Sequence, residues 1–350
     1  MKSNRYIRQT LLPEIGENGQ RKLAKAKVCI IGCGGLGSIA APYLAGAGVG
    51  HIILIDGDTP ELSNLHRQVF FTGNEKESKA EALATHILKT NPDIKVDVVS
   101  KMLDKENIAT IINDVTLVLE CTDDMMCKYL VNDWCHLKNI PLIYGAIFKF
   151  EGYISLFKNE TENDIHLRDI FPEPDLTIPT CSEVGVMNTI AGLIGMLQAN
   201  EALKYLLEIN ENLSGQLLTY NALTNDQLKL KLKKSWVGDV QKLLESETYT
   251  ISNCKTVPEI TIDQIMSKIN EYELISILEI DEHQSITDNC KHQPLSTFDI
   301  QKWSLGEKPK IYYCMSGKRS ATLVHRILEE NATANVYSLK GGLMALEKNK

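Results

Sequence analysis

Short apolar runs alternate with helix-like segments over residues 28–145. Five of these runs predict strands: "KVCIIG", "HIILID", "IKVDVVS", "VTLVLECT" and "IPLIYGA". The helical periodicity between them is typical of a mainly parallel sheet with helices on both faces. Further along, "GYISLF", "GQLLTYNAL" and "DQLKLKLKK" alternate in polarity and predict added antiparallel strands. A polar loop over 159–180 and a long helix over about 183–207 are expected between them.

The alternation of strand and helix patterns ends after Lys234 and begins again near residue 260. The stretch "KSWVGDVQKLLESETYTISNCKTVPE" has no clear periodicity and is interpreted as a linker. A shorter α/β pattern follows in "TIDQIMSKI", "YELISIL", "KIYYC", "SATLVHRILEE" and "NVYSLKGG". The sequence therefore predicts a first domain over 1–234, a linker over 235–258 and a smaller α/β domain over 259–350.

Composition and charge narrow the class of protein. With 43% hydrophobic and 23% charged residues, the chain has the composition of a soluble globular protein. The net charge of -8 argues against nucleic acid as a partner. The N-terminus lacks the apolar core of a signal peptide, and polar residues interrupt the most apolar segment, so no membrane span is expected. An odd number of cysteines, nine, fits a reducing compartment, and we expect a cytoplasmic protein.

A glycine-rich turn follows the first strand. Gly32, Gly34 and Gly37 form G-x-G-x-x-G between a strand and a helix, and Asp56 ends the next strand. Such glycines let backbone N–H groups approach phosphates at a helix N-terminus, and the acidic residue can accept hydrogen bonds from a ribose. The expected fold is Rossmann-like. Taken alone, the pattern favours an NAD-dependent oxidoreductase. The lesser alternative is a glycine turn that is needed only for close packing of strand and helix.

The residues after this turn favour a triphosphate. Arg67 and Lys79 follow the second strand, together with Asn64 and Gln68, and such cations would neutralise charge at a departing pyrophosphate. Asp123 lies where a central strand ends in "LECTDD", a position suited to Mg²⁺. Its neighbour Asp124 is expected to cap the following helix.

Together these segments resemble the MoeB/ThiF/HesA family, the bacterial relatives of ubiquitin-activating enzymes. The resemblance covers about residues 5–230 and is carried by "RYIRQTLLPEIGENGQRKL", "GCGGLG", "SNLHRQ", "CTDD" and "TCSEVGVMNTIAGLIGMLQANEALK". It implies adenylation, by ATP and Mg²⁺, of the C-terminal glycine of a small ubiquitin-like β-grasp protein.

The resemblance also implies roles for individual residues. Asp56 would contact the ribose, Asp58 would be a nearby acidic position, and Asp123 would bind Mg²⁺. Arg8 would reach the ATP of a partner subunit, which implies a homodimer. The remaining implied nucleotide contacts are the turn glycines and the polar side chains beyond the second strand: Gly32, Gly34, Gly35, Gly37, Asn64, Arg67, Gln68 and Lys79.

Two further predictions concern cysteines of this first domain. Cys181, in "IPTCSEVGV", precedes a helix whose N-terminus favours a thiolate, and the resemblance marks it as a cysteine that attacks the acyl-adenylate or joins an acyl disulfide. The alternative is a loop thiol without a role. The cysteines in apolar strand or helix contexts are expected in or near the core: Cys29, Cys33, Cys121 and Cys135.

The family's structural zinc is expected to be absent. Most relatives carry two C-x-x-C pairs that bind one zinc ion. Here "IHLRDIFPEPDL" places His166 and Asp169 at the first pair, and "SWVGDVQ" supplies no cysteine at the second. We expect local packing to replace the metal.

The second domain carries a candidate nucleophile. In "KIYYCMSGKRSATLVHRILEE", the loop over 314–319 would turn backbone N–H groups toward a thiolate, with two cations adjacent. The segment resembles a rhodanese domain. Ser276 and Leu278 stand near the usual Asp and Arg, so an inert domain is the alternative. The implied persulfide loop consists of Cys314, Met315, Ser316, Gly317, Lys318 and Arg319.

These features combine into one functional hypothesis. ATP would activate a sulfur-carrier protein ending in Gly-Gly, and a persulfide on Cys314, loaded by a donor such as a cysteine desulfurase, would convert it to a thiocarboxylate. Molybdopterin synthesis is the favoured pathway, with thiamine thiazole synthesis close behind. An NAD-dependent oxidoreductase and a non-catalytic carrier-binding scaffold remain as alternatives from other classes.

Overall fold

Eight strands of the N-terminal unit form one sheet in the order β3-β2-β1-β4-β5-β6-β7-β8. The computed structural model describes residues 4–175, 185–246, 249, 257–266, 268–280, 282–287, 289–303 and 308–347. Parallel pairing joins the first five strands of this order, and β5 to β8 pair antiparallel. The strands are β1 Lys27–Ile31, β2 His51–Ile55, β3 Lys95–Val99, β4 Leu117–Glu120, β5 Leu142–Phe148, β6 Glu151–Phe157, β7 Gln216–Asn221 and β8 Asp226–Lys231.

The parallel part and the antiparallel addition both confirm the predicted α/β class. Alternate residues of β1 face opposite sides: Val28 and Ile30 belong to one apolar core, Cys29 and Ile31 to the other. Each core is covered by helices, so both sheet faces are buried. The helices of this unit are α1 Ile7–Thr10, α2 Gly16–Lys25, α3 Gly37–Ala47, α4 Lys79–Thr90, α5 Ile108–Ile111, α6 Met125–Leu137, α7 Leu167–Ile170, α8 Asn188–Leu206 and α9 Val240–Ser246.

Strand register brings the chain segments that follow β1, β2 and β4 to one edge of the sheet. Ile31, the last residue of β1, pairs with Ile55 and with Glu120, which end β2 and β4. Chain continuations after these three residues therefore leave the sheet side by side. The chain leaves β1 for β2 and β3 on one side, then crosses from β3 to β4 on the other side of β1, and ligands of open α/β sheets bind where the strand order reverses in this way.

Two predicted boundaries differ from the structure. The long helix, expected from about residue 183, begins at Asn188 as α8. Within the stretch interpreted as a linker, α9 forms, and its Val240 and Leu244 are buried in the core beside α6. Two apolar positions are too few to give a periodic signal in the sequence. The buried face of α9 is recognisable only from its packing against α6.

The C-terminal unit has its own five-stranded sheet, in the order β11-β10-β12-β13-β9. All of its strand pairs are parallel. Its core contains Ile275, Tyr312 and Val324, and Cys314 directly follows β12. The elements are β9 Glu259–Ile260, α10 Ile262–Met266, β10 Glu273–Ser276, β11 Lys291–His292, α11 Ile300–Trp303, β12 Lys310–Tyr313, α12 Lys318–Glu330, β13 Val336–Leu339 and α13 Met344–Glu347.

In the described ranges, no helix is both long enough and apolar enough to cross a bilayer.

Candidate active site

The glycine turn connects β1 to α3, and two of its glycines are required by close packing. Gly32 has φ +88°, and a Cβ there would lie 2.9 Å from the carbonyl carbon of Cys121. A Cβ on Gly37 would lie 1.9 Å from the carbonyl oxygen of Gly32. The turn therefore folds tightly on itself and against the end of β4, and no larger residue fits at either position.

The other two glycines lie close to side chains of other segments, and a Cβ on Gly35 would lie 3.2 Å from the Cβ of Ala191. A Cβ on Gly34 would approach Gln68 Nε2 at 3.3 Å, and one on Gly35 would approach Arg67 Cδ at 3.6 Å. The structure thus brings Gln68 and Arg67 against the turn, as the resemblance implies. Backbone without side chains is the surface that a phosphate chain needs for close approach.

Asp56 lies directly beneath this turn. Its Oδ2 accepts a hydrogen bond from the Cys33 N–H at 2.7 Å, and its Oδ1 accepts one from the Asp58 N–H at 2.9 Å. Burial raises the pKa of Asp56, and the two hydrogen bonds and nearby Lys79 oppose that rise. Asp56 therefore fixes the turn's shape, in addition to being the predicted ribose contact.

Arg67 and Gln68 follow a short 3₁₀ turn, Leu62–Asn64. Arg67 Nη2 donates to Asn64 Oδ1 at 2.7 Å, which orients the guanidinium. Gln68 is buried, and its Oε1 has no hydrogen-bond partner within the described residues. A buried, unpaired amide oxygen is costly, so its position beside the turn fits a ligand that would donate to it.

Lys79 is held at the start of α4. Its ammonium lies 3.0 Å from Asp58 Oδ2, and its own N–H donates to the Asp58 carbonyl oxygen. Ser78 and Glu81 form a capping box at this helix end. The Lys79 side chain is almost fully buried, whereas that of Asp58 is exposed. An anionic ligand at the turn could therefore replace Asp58 as the partner of a desolvated ammonium group.

Asp123 lies on the exposed loop between β4 and α6. Asp124 caps α6 by accepting from the Cys127 N–H at 3.0 Å, as predicted. No described group of three or more His, Cys, Asp or Glu side chains could alone hold a metal ion. A magnesium ion here would take oxygen ligands from Asp123 and from nucleotide phosphates, a donor set that suits it. When bound, it would neutralise phosphate charge.

Sequence reasoning missed three residues behind the Asp123 loop. Glu120 and Lys128 form a buried ion pair, and Gln198 Nε2 donates to the Glu120 carbonyl oxygen at 2.7 Å. The only local signal is an acidic residue ending the otherwise apolar strand "LVLE". Lys128 and Gln198 are recognisable only once the helices are packed on the sheet.

Arg8 lies at the other end of α3 from the glycine turn. Its neighbour Gln9 donates to the carbonyl oxygen of Ala47, the last residue of α3, at 2.9 Å. An eleven-residue helix spans about 16 Å, so Arg8 is held far from the turn of its own chain. Its side chain is exposed. This placement is compatible with the implied contact to a partner subunit.

The cysteine predictions have different outcomes. Cys29, Cys33, Cys121 and Cys135 are buried, as expected. Burial raises the pKa of the Cys29 thiol to about 12, opposed by Lys27, so it is an inert core group. Cys181 lies outside the described residues.

Hydrogen bonds and aromatic packing join the two segments at the family's zinc position. Asp169 Oδ1 accepts from the N–H groups of Ser235 at 2.7 Å and Trp236 at 2.8 Å. The ring of His166 packs edge-on against Trp236, with centroids 5.3 Å apart. Asp169 and Trp236 thus link segments 67 residues apart in sequence through direct contacts.

The loop after β12 encloses Cys314. The Gly317 N–H donates to Cys314 Sγ at 3.2 Å, and Gly317 has φ +87°. The cysteine is fully buried. The guanidinium of Arg319, in the same loop, pairs with Glu282 at 2.9 Å. Ser276, at the position of the usual acidic residue, is buried at the end of β10.

Fold and site together define a nucleotide-binding α/β enzyme of the adenylyl-transfer class, and the comparisons agree. The ThiF family matches residues 6–236. A sulfur carrier protein adenylyltransferase of Thermus thermophilus is 38% identical over 66% of this chain and 88% of its own.

Two relatives match almost the whole chain. A probable molybdopterin-synthase adenylyltransferase of Porphyra purpurea is 31% identical over 97% of this chain and 91% of its own. A probable adenylyltransferase/sulfurtransferase MoeZ of Mycobacterium tuberculosis is 29% identical over 98% of this chain and 92% of its own. The structure of E. coli MccB with MccA-N7isoASN shares the fold, with a TM-score of 0.60 at 24% identity over 68% of this chain and 75% of that one.

The chain belongs to the ThiF family. It is an adenylyltransferase, which excludes the NAD-dependent oxidoreductase and the non-catalytic scaffold.

Proposed function

We propose that this enzyme adenylates the C-terminal glycine of a ubiquitin-like sulfur-carrier protein and then converts it to a thiocarboxylate. The supporting observation is the cluster at the carboxyl edge of the sheet. It combines a tightly folded glycine turn, the Gln68 Oε1 that no described residue satisfies, and the cations of Arg67 and Lys79. The carrier would be the small-subunit, molybdopterin-synthase type, ending in Gly-Gly. A thiamine-pathway carrier is the alternative.

The adenylation step needs alignment and charge neutralisation. The carrier carboxylate attacks the α-phosphorus of ATP, a bond to its oxygen forms, and the bond to the β-phosphate oxygen breaks with its electron pair leaving on pyrophosphate. Arg67 and Lys79 would stabilise the charge that develops on these oxygens. The glycine turn would hold the phosphate chain, and Asp56 would orient the ribose while fixing the turn.

The sulfur step would use both candidate nucleophiles. A Cys314 persulfide, loaded by a desulfurase, attacks the acyl carbon, and AMP leaves with the electrons of the broken acyl–oxygen bond. The thiolate of Cys181 then attacks the Cys314 sulfur of the acyl disulfide. This releases the thiocarboxylate and leaves a Cys181–Cys314 disulfide, which a dithiol reductant would reduce. We place this reaction in the cytoplasm and in a homodimer.

Carrier-dependent ATP–pyrophosphate exchange tests the adenylation step. Purified enzyme is incubated with labelled pyrophosphate, ATP, Mg²⁺ and each β-grasp carrier of the same genome in turn. We expect exchange with a Gly-Gly carrier of the molybdopterin-synthase type and none with its version lacking the last glycine. Exchange with a thiamine-pathway carrier alone would assign the enzyme to the thiamine pathway instead. No exchange with any carrier would refute the proposal.

The sulfur step is tested by Cys314→Ala. Thiocarboxylate formation, followed by mass spectrometry of the carrier, should be lost, while exchange should stay within about twofold of the wild type. The matched control is Cys290→Ala, which removes a half-buried cysteine of the same unit. Undiminished thiocarboxylate in Cys314→Ala would show that sulfur does not pass through this loop.

A further inference from the structure

A buried ion pair lies directly behind the loop that carries Asp123. Glu120 ends β4 with a side chain that is fully inaccessible, and Lys128, on α6, is 8% exposed. The Lys128 ammonium contacts Glu120 Oε2 and also donates to the Gly145 carbonyl oxygen of β5 at 2.8 Å. The pair therefore connects β4, α6 and β5 beneath the loop.

The other carboxylate oxygen of Glu120 holds the loop itself. Glu120 Oε1 accepts from the Thr122 N–H at 2.8 Å and also from the Thr122 hydroxyl. On the other side of Asp123, Asp124 is fixed by its cap on α6. Asp123 thus lies between two anchored residues, and its own carboxylate makes no hydrogen bond or ion pair in the part of the chain that the structure describes.

Burying the Glu120–Lys128 pair costs hydration free energy, and a gain in stability alone does not explain why the pair is present. Two charges lose their hydration in the core, and a well-packed apolar pair of similar volume is often as stable or more so. What an apolar pair could not do is accept both donors of Thr122. The buried charge of Glu120 thus serves to hold the backbone of the short loop at Thr122.

We propose that Glu120 and Lys128 are positioning residues, which hold the Asp123 carboxylate toward the nucleotide and its Mg²⁺. This inference rests on the role proposed for Asp123 in adenylation. Neither residue touches the reacting atoms. They act by fixing the backbone at Thr122, so that Asp123 needs no reorganisation when the nucleotide binds.

The test is a double-mutant cycle on the full-length chain. Glu120→Gln keeps the size of the side chain but removes its charge, Asp123→Ala removes the carboxylate, and the third variant carries both changes. The readouts are the Mg²⁺ concentration that half-saturates MgATP binding, measured by calorimetry without carrier, and pyrophosphate exchange with carrier. Thermal unfolding is measured in parallel.

We expect Glu120→Gln to raise the half-saturating Mg²⁺ concentration about tenfold and to slow exchange about 10–100-fold, as for a loop displaced by an ångström. In the Asp123→Ala background, Glu120→Gln should have almost no additional effect, because the group it positions is already gone. Lys128→Arg keeps the charge and should retain most of the Mg²⁺ affinity.

Asp133→Asn is the matched control. Asp133 also lies on α6 and forms a fully buried ion pair, but with Arg168. The Asp133→Asn substitution should lower the unfolding temperature while leaving the half-saturating Mg²⁺ concentration unchanged. If Glu120→Gln does not fold, Thr122→Val, which removes the hydroxyl donor, enters the same cycle.

The outcomes separate this inference from the proposed function. Additive effects of Glu120→Gln and Asp123→Ala, or an unchanged Mg²⁺ dependence in Glu120→Gln, would overturn the positioning role. An Asp123→Ala variant with normal Mg²⁺ affinity would overturn it as well. Non-additive Mg²⁺ effects combined with no exchange for any carrier would support the positioning role and refute only the proposed function.

Discussion

At the scale of single residues, the four glycines of the turn serve two different purposes. Gly32 and Gly37 are fixed by contacts inside the protein, with the carbonyl groups of Cys121 and of Gly32 itself. Gly34 and Gly35 instead border side chains, Gln68 for the first and Ala191 and Arg67 for the second. Substitution at Gly32 or Gly37 therefore changes the fold of the turn, whereas substitution at Gly34 or Gly35 displaces neighbouring side chains.

Gly37→Ala should be severely destabilising. The new Cβ would lie 1.9 Å from the Gly32 carbonyl oxygen, so α3 and the turn would have to separate. We expect a loss of roughly 3 kcal/mol or more in the free energy of unfolding, together with loss of ATP binding. Denaturant unfolding and calorimetry measure the two quantities.

The control lies in the same helix. A Cβ on Gly46 would point into open space, with no described atom of another element within 4 Å, and the φ of Gly46 is not positive. Gly46→Ala should stabilise the protein by about 0.5–1 kcal/mol through helix propensity. Equal effects of the two substitutions would show that the turn tolerates side chains after all.

His166 should make the stability of the protein pH-dependent. Burial, followed by the charge of His136, lowers the pKa of His166 from 6.5 to about 3. The unfolded chain therefore binds the proton first as the pH falls. Stability from the neutral imidazole is complete above pH 6.5 and is lost as the pH falls toward 3, by at most about 1.4 kcal/mol per pH unit.

The measurement compares the wild type with His166→Gln by urea unfolding at pH 7.5, 6.0 and 5.0. The stability difference between the two proteins should shrink by about 2 kcal/mol from the highest pH to the lowest. A difference that does not change with pH would mean that His166 is protonated equally easily in both states.

At the scale of elements, contacts of Asp169 connect α7 to the segment after β8. Its carboxylate accepts the N–H groups of His166, Ser235 and Trp236, and Lys234 lies 3.5 Å from Oδ2. These are the chain positions at which the resemblance implies a structural zinc in most relatives. A carboxylate with backbone donors from both segments supplies a connection of the kind that a metal would otherwise make.

Asp169→Ala should separate these two segments. It leaves three backbone N–H groups without their acceptor, and we expect a loss of about 2–3 kcal/mol in the free energy of unfolding. Asp169→Asn keeps one acceptor oxygen and should cost less. A zinc chelator should leave the unfolding temperature of the wild type unchanged, and a clear decrease would demonstrate a structural metal.

At the scale of the whole molecule, a single chain does not bring Arg8 to its own glycine turn. Gln9 fixes α1 at the far end of α3, about 16 Å from the turn. If Arg8 acts in catalysis, it must act on another copy of the chain. Sites completed by a partner subunit can be tested by complementation.

We expect a heterodimer of Arg8→Ala and Asp123→Ala chains to recover about half of the wild-type exchange, because one of its two sites is intact. The two chains carry different tags and are purified together. A Lys79→Ala and Asp123→Ala heterodimer is the control, since both changes affect same-chain residues, and it should remain inactive. An inactive first heterodimer would refute the contribution of Arg8 in trans.

Much of the fold and part of the site could be predicted from sequence. The alternation of strands and helices predicted the mainly parallel sheet, and parallel strands place their carboxyl ends together. Asp56 is therefore recognisable as a candidate, because it directly follows the end of β2. Gln68 and Lys79 lie further along the chain, and their chemistry and the family resemblance indicated them. The helix α9 escaped prediction because only two of its positions are buried.

The sequence by itself determined which segments form strands and which residues follow them, because strand and turn patterns are local. Only the tertiary structure decided how those residues are held. The hydrogen bonds of Asp56 to the turn, the Glu120–Lys128 pair behind Asp123 and the contacts of Asp169 with Trp236 join segments 23, 8 and 67 residues apart. Such contacts depend on how helices and loops pack on the sheet, and no local periodicity encodes them.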